Sequence, residues 1–320
     1  MEPTAADLRG ERVDSIALLL KSYAGDLAYA QRLVESFHRF NADGLTLHCV
    51  VPAADLGLFA PLASSSVVVT AEEEVSGPYL VDHPIGGLRV GYANQEIVKL
   101  SFWESGLAGN YFCIDSDAKL LRPFGATDFM RDATTPYSVL VEDNELKVEP
   151  RYHREHWVGR EKAIRRIMAE VGLDDPVMRT SHGHQVFSSR VLESFREHFL
   201  RPRGWSYADA IAFSPYEFSW YAMWLQMAQP IPIHQREPLV KVFHNEDEHL
   251  AAILAGITEA DLARAYLGVV VNSNYSRSLG VVEHSDDKVE SLVPYLSYGE
   301  MGRLLAAKTR DTWRRRSARG

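Results

Sequence analysis

The sequence predicts a mixed α/β protein with a mostly parallel central sheet flanked by helices. Three observations carry this reading. Strand and helix signals alternate through the first half, the strand signals are continuous apolar runs, and one such run stops abruptly at Asp115-Ser116-Asp117. Continuous runs are what strands buried on both faces require, and crossover helices supply that cover in a parallel sheet. The chain has 320 residues, 46% hydrophobic and 24% charged, which suits a globular protein with a substantial core.

Ser15 to Leu20 reads as the first buried strand, and Lys21 to Asp26 as the loop after it. Tyr29, Leu33, Phe37 and Phe40 then recur at helical spacing. Leu45 to Val51 is the second strand, Ala53 to Phe59 a short helix and Ser66 to Thr70 the third strand, giving a β-α-β-α-β order. A Gly/Pro-rich loop (Gly77, Pro78, Pro84, Gly86, Gly87) precedes a helix over Tyr92 to Trp103. Its apolar stripe is Ile97, Leu100 and Trp103, which leaves Gln95 and Lys99 together one turn apart. The strand Asn110 to Ile114 follows.

Farther on, Tyr137 to Val141 and Glu145 to Val148 read as strands around an Asp143-Asn144 turn. Helices are expected over Glu161 to Val171, Val191 to Leu200, Pro215 to Met227 and Ala260 to Leu267. Strands are expected over Pro238 to Phe243, with His244 at its end, and over Val269 to Val271. Ser297 to Arg316 has the pattern of a basic amphipathic helix. With no internal repeat, low-complexity segment or clear linker, residues 1–280 read as one principal domain and 281–320 as a C-terminal extension.

The formal net charge of -9 argues against a nucleic-acid-binding surface over the whole molecule. Cys49 and Cys113 lie in apolar strand-like runs, where free core thiols are expected, in keeping with a reducing cytoplasm. Met1 to Arg12 has no apolar signal-peptide core, and no stretch approaches the roughly 18 apolar residues of a membrane span. Lys308, Arg310, Arg314, Arg315, Arg316 and Arg319 crowd the end of the chain. They suit a solvated helix end, and peripheral contact with the inner face of a membrane stays open as the alternative.

Asp115-Ser116-Asp117 is the only D-x-D in the chain. In extended backbone its two carboxylates project to one face, where both converge on a hard divalent cation completed by water and phosphate oxygens. Ligands of open α/β sheets bind beyond the carboxyl ends of the strands, where Lys21-Ser22-Tyr23 also falls. Glu217 lies in an aromatic segment (Tyr216, Phe218, Trp220, Tyr221, Trp224). A carboxylate in such surroundings holds a proton more readily than one in water and suits a general base on a hydroxyl, while aromatic faces suit sugar rings. Thr180 to Gln185 is a polar loop placed near an acceptor, or else a capped start of the next helix at Ser188 or Ser189.

The order of elements resembles the GT-A class of nucleotide-sugar glycosyltransferases, with Asp115-Ser116-Asp117 at the place of the D-x-D metal motif. More narrowly, the chain resembles a poorly characterised bacterial GT-A-like family. Lys21-Ser22-Tyr23…Asp26, Gly91-Tyr92…Gln95…Lys99-Leu100, Ile114-Asp115-Ser116-Asp117 and Ser214-Pro215-Tyr216-Glu217-Phe218 carry that likeness, over roughly residues 13 to 275. It implies transfer of a sugar from a nucleoside diphosphate sugar, a UDP-sugar first, to a hydroxyl of a glycan, a lipid-linked saccharide or a small metabolite. Mn²⁺ or Mg²⁺ would bridge the diphosphate.

In that class Asp117 is a direct metal ligand, and Asp115 binds through water or holds ribose and sugar hydroxyls with Ser116. His244 completes the metal shell, Tyr23 stacks on a base, Lys21 meets a phosphate, and Gln95 and Lys99 face the donor. Solvated turns and a polar helix face remain the plain alternatives for these residues. Two rival functions stay open: a sugar-phosphate nucleotidyltransferase, and a non-catalytic carbohydrate- or partner-binding protein. The single glycine and missing arginine in Lys21 to Asp26 count against the first.

Overall fold

The computed structural model describes residues 16–141, 158–174, 184–244, 248–249, 252, 255–271 and 306. Chain contacts divide it into two compact units, one over Met1–Ser116 and Pro123–Leu239, the other over Asp117–Arg122 and Val240–Gly320. The expected boundary at 280/281, the strand over Glu145 to Val148 and nearly all of the basic terminal helix lie outside the described residues.

The first unit is a mixed α/β layer structure, as expected. Its sheet contains β1 (Ile16–Lys21), β2 (Leu47–Val51), β3 (Val67–Ala71), β4 (Asn110–Ile114) and β7 (Val186–Ser188). The spatial order is β3-β2-β1-β4-β7, parallel throughout except for the last pair. In β4 all residues are buried, as are all but the first of β1, so these central strands are covered on both faces. Alternation along them sorts the side chains: Ala17, Leu19, Tyr111 and Cys113 join one continuous core with Ile97, Phe187, Trp220 and Tyr221. At the edge, β3 exposes Val68, so cover is complete only at the centre of the sheet.

Two helices lie over that core. Val90–Ser101 is buried nearly all round its last two turns, and the Tyr111 hydroxyl donates to the Lys99 carbonyl at 2.7 Å, which ties it to β4. Glu217–Ala228 stacks Tyr221 on Phe187 with ring centroids 4.4 Å apart, and the Tyr221 oxygen accepts from the Ser188 N–H. The Trp220 indole N–H bonds the carbonyls of Ala210 and Ser214, fastening the Tyr207–Phe213 helix beside it.

Short strands β6 (Tyr137–Ser138) and β8 (His234–Gln235) pair in parallel, so Tyr137 has a partner far along the chain, while the second arm of the expected hairpin lies outside the described residues. The second unit has a three-stranded sheet in the order β5-β10-β9, from Ala118–Leu120, Gly268–Val271 and Val240–Phe243. Among the described residues no helix is long and apolar enough to cross a membrane.

The loop before the Val90–Ser101 helix turns at Gly86-Gly87, with φ of 55° and 80°, where the Leu88 N–H bonds the Ile85 carbonyl. Positive φ at both central residues of a tight turn favours glycine. At Gly86 space is closed as well: a Cβ would lie 2.5 Å from the Ala212 carbonyl oxygen. Gly86→Ala is therefore expected to lower stability by about 2 kcal/mol in urea denaturation, by combining backbone strain with a clash against backbone.

Candidate active site

Strands β1 and β4 are neighbours in the sheet, with Leu20 in register with Ile114. From β1 the chain runs outward through β2 and β3 on one side, then returns to place β4 on the other. That reversal is a topological switch point, and the crevice past its strand ends is where open α/β sheets bind ligands. Lys21-Ser22 leaves β1 and Asp115-Ser116 leaves β4 at this point. The hydroxyls of Ser22 and Ser116, both buried, lie 2.9 Å apart and join the two strand ends.

The Val90–Ser101 helix aims Lys99 at the same place. Its ammonium is 3.1 Å from Asp115 Oδ1 and 2.9 Å from Glu217 Oε1, and 4.7 Å from the centre of the Phe218 ring. The Lys99 and Glu217 side chains are 3% and 5% exposed, whereas that of Asp115 is 36% exposed. Asp115 is thus the member of the trio that meets solvent. Glu217 opens its helix, and its backbone N–H donates to Glu96 Oε2 at 3.1 Å, so a second buried carboxyl satisfies one of the free donors at that helix start. Tyr92, Glu96 and Lys99 lie at i, i+4 and i+7 on one stripe of their helix.

The electrostatics follow from this crowding. Burial pushes the Asp115 carboxyl up, but Lys99 and His184 beside it outweigh that and leave it below the usual carboxylate range. Burial opposes the Lys99 charge, yet Asp115, Glu217 and Glu96 together hold its ammonium well above the ordinary lysine value. Glu96 goes the other way: burial first, then the Glu217 carboxylate, raise it well above 4.5, so it keeps its proton. One ammonium therefore faces two carboxylates, with Glu96 neutral.

The two residues before β7, His184 and Gln185, are both buried beside this cluster. His184 Nε2 is 3.7 Å from Asp115 Oδ2, and its backbone is left-handed at φ 52°, a conformation costing about 1 kcal/mol or more outside glycine. Gln185 Nε2 donates to the Phe218 carbonyl at 3.4 Å, while its Oε1 has no partner among the described residues. A buried acceptor left unsatisfied costs about 1–3 kcal/mol.

Several residues singled out in the sequence stand differently. Lys21 is buried in an ion pair with Glu72 at 2.8 Å and donates to the Ser22 carbonyl, so its charge is already matched. Tyr23 is 47% exposed at the start of the next turn, and Gln95 is half-buried. Asp115-Ser116-Asp117 is not extended: β4 ends at Ile114, and Ser116 and Asp117 form the turn into β5. The two acids therefore do not share one strand face.

Asp117 and His244 belong to the second unit. In its sheet Val270 pairs with Ala118 on one side and Val242 on the other, and Val271 pairs with Phe243. Asp117, before Ala118, and His244, after Phe243, consequently sit at the same end, on strands flanking β10. A carboxylate suits Mn²⁺ or Mg²⁺, an imidazole suits Mn²⁺ rather than Mg²⁺, and such ions need only one or two protein ligands when phosphate supplies the rest. No group of three or more His, Cys, Asp or Glu gathers among the described residues, so a fully protein-built cage is not what this donor set offers.

Glu96 and Glu72 escaped the sequence reading, while His184 and Gln185 were read only as part of the polar loop over Thr180 to Gln185. One signal was available for Glu96: a helix carrying Val90, Ala93, Ile97, Val98 and Leu100 is apolar on too many sides to leave both Glu96 and Lys99 in water.

No protein-family model matches the chain, and no curated protein matches it. Among solved structures, the chain is similar to the apo structure of the bifunctional glycosyltransferase WbbM, over 81% of this chain and 46% of that one. Identity is 9% and the TM-score 0.45. The chain spans about half the length of that protein.

Two outcomes test the cluster. Lys99→Met strands two carboxylates and should destabilise by about 3–5 kcal/mol in urea denaturation at pH 7, and adding Glu217→Gln should recover part of the loss. Glu96 sets a pH dependence. An unfolded chain releases this proton near pH 4.5 and the folded one only at higher pH, so the folded state binds more protons between those values and stability falls as pH rises through that window. Glu96→Gln, which keeps the oxygen for the Glu217 N–H, should flatten that decline when melting is followed from pH 4 upward.

Proposed function

We propose that the protein is a glycosyltransferase that moves a sugar from a nucleoside diphosphate sugar to a hydroxyl acceptor. The observation that supports this reading most is the Asp115–Lys99–Glu217 trio at the β1/β4 switch point, where a partly exposed carboxylate is backed by buried charge. The D-x-D setting and the resemblance to GT-A enzymes agree with it.

In this reading Asp115, the solvent-facing carboxylate, accepts hydrogen bonds from hydroxyls of the donor. Glu217 takes the proton of the attacking acceptor hydroxyl. The trio carries one negative charge in excess, so one proton brings it to neutrality, and Lys99 still pairs with Asp115 afterwards. Lys99 fixes both carboxylates in place before reaction, so little reorganisation accompanies proton transfer. Within the second unit, Asp117 and His244 would hold a Mn²⁺ or Mg²⁺, an ion that supplies charge neutralisation to a diphosphate when bound. Donor hydroxyls and the diphosphate, rather than a basic loop after β1, are the groups this chain is built to meet. The Lys21–Glu72 pair leaves that loop without a free cation to cradle a triphosphate, which weighs against a nucleotidyltransferase.

Melting the protein with UDP-, GDP-, CMP- and dTDP-sugars, with and without Mn²⁺, checks the reading directly. One donor should raise the midpoint by several degrees in a Mn²⁺-dependent way, since a ligand at 100 times its Kd adds about 2.7 kcal/mol. Asp117→Ala should lose that Mn²⁺ dependence. Glu217→Gln should lose transfer by about 100-fold or more while keeping donor binding. No shift with any donor would remove the proposal.

A further inference from the structure

Gln185 is fully buried, and half of its amide is used. Its nitrogen donates to the Phe218 carbonyl, which also fixes the amide orientation, because the flipped form would set oxygen against oxygen. Its oxygen has no hydrogen-bond partner among the described residues.

The surroundings explain why nothing nearby fills the gap. Lys99 directs its ammonium to Asp115 and Glu217. The Glu217 N–H goes to Glu96, the Ser219 N–H to the Tyr216 carbonyl and the Ser188 N–H to Tyr221. These donors are committed to other acceptors, and the Gln185 oxygen is left a buried acceptor without a partner among the described residues.

Its position is informative too. Cys113 N–H donates to the Gln185 carbonyl, one step beyond the Phe112–Val186 pair, so Gln185 lies opposite Cys113 in an antiparallel ladder. Residues facing each other in such a ladder share a face. Here it is the face of Cys113, covered by the helices that carry Lys99 and Glu217. The residue before it, His184, approaches Asp115.

We infer that Gln185 determines which sugar the protein accepts, its side-chain oxygen taking a hydrogen bond from one hydroxyl of the transferred sugar. This rests on the reading of the site as a glycosyltransferase centre. The chemistry gives it force. A site built to bond a substrate hydroxyl rejects the analogue lacking it strongly, because its own buried group is then left unpaired, as Gln185 Oε1 is now. A buried water on the same atom is the competing occupant.

The test uses the full chain and the sugar nucleotide of the UDP-, GDP- and dTDP-sugar panel that stabilises wild type most, with its singly deoxygenated analogues. Wild type should show at least about a 100-fold lower kcat/KM for one deoxy analogue than for the parent sugar. Gln185→Leu and the closer-shaped Gln185→Met should reduce that discrimination to about tenfold or less, through loss on the parent sugar. They should leave affinity for the free nucleoside diphosphate unchanged and the melting midpoint equal or higher, since an unsatisfied acceptor has been removed.

Retained discrimination in folded variants, or wild type that accepts every deoxy analogue equally, overturns the inference and leaves the glycosyltransferase reading intact. Variants that melt lower, with discrimination unchanged, assign the amide or its water to structure alone. Wild type that binds no sugar nucleotide removes both the reading and the inference.

Discussion

The burial of one ammonium group governs this molecule. Lys99 reaches almost complete burial on a helix that is covered nearly all round its last two turns, and a lone buried cation costs several kcal/mol even after relaxation. It is tolerable only where carboxylates meet it, and two do, from places far apart in the sequence: Asp115 at the end of β4 and Glu217, 118 residues away, at the start of another helix. Each of these positions is fixed by its own neighbours. The Tyr111 hydroxyl holds the Lys99 carbonyl, Glu96 holds the Glu217 N–H, and Tyr221 locks the Glu217 helix onto β7. The ion pairs contribute little net stability of their own, but they specify which surfaces of two helices and a strand end must face one another.

The same cluster explains the division of labour among four acids and bases in a small volume. Two carboxyls crowded together in a buried place cannot both ionise easily, and here it is Glu96 whose carboxyl is raised well above its ordinary value. Glu217 has Lys99 at 2.9 Å, whereas Glu96 has the Glu217 backbone N–H and holds its proton. Asp115, with Lys99 on one oxygen and His184 near the other, is held ionised while still partly open to solvent. A neutral acid, a buried acid paired with the lysine and a partly exposed carboxylate thus arise from one lysine placed asymmetrically among them.

What could be read from the sequence was set by local pattern. Central strands such as Leu18-Leu19-Leu20 and Tyr111-Phe112-Cys113 are legible because burial on both faces leaves no other composition. Strand β7 was hidden: Val186-Phe187-Ser188 is too short to show a period, sits against a polar segment and becomes a strand only by pairing with β4. The Tyr207–Phe213 helix was missed although Ser206 and Asp209 form a capping box before it, a signal that lay in plain view. At the site, Asp115, Lys99 and Glu217 were legible as separate candidates, but their meeting was not, because an ion pair across 118 residues leaves no periodicity. The D-x-D pattern suggests extended backbone, whereas Ser116 and Asp117 turn the chain into Ala118–Leu120, the strand that pairs with β10.

Lys21 shows how the same charge can be put to a different use. It ends the first strand, where a free cation would face a ligand's phosphates, and the residue type alone suggests that role. Glu72 removes it: both partners are buried, so the pair cannot open to bind an anion without exposing an unmatched carboxylate to a low-dielectric interior. Lys99 differs in one respect, the 36% exposure of its partner Asp115. A ligand that reaches Asp115 changes the balance of the whole trio without unburying any member. Of the two lysines at the switch point, only the one with a solvent-facing partner can pass a change at the surface into the interior, and chemistry is therefore expected at Lys99 and structure at Lys21.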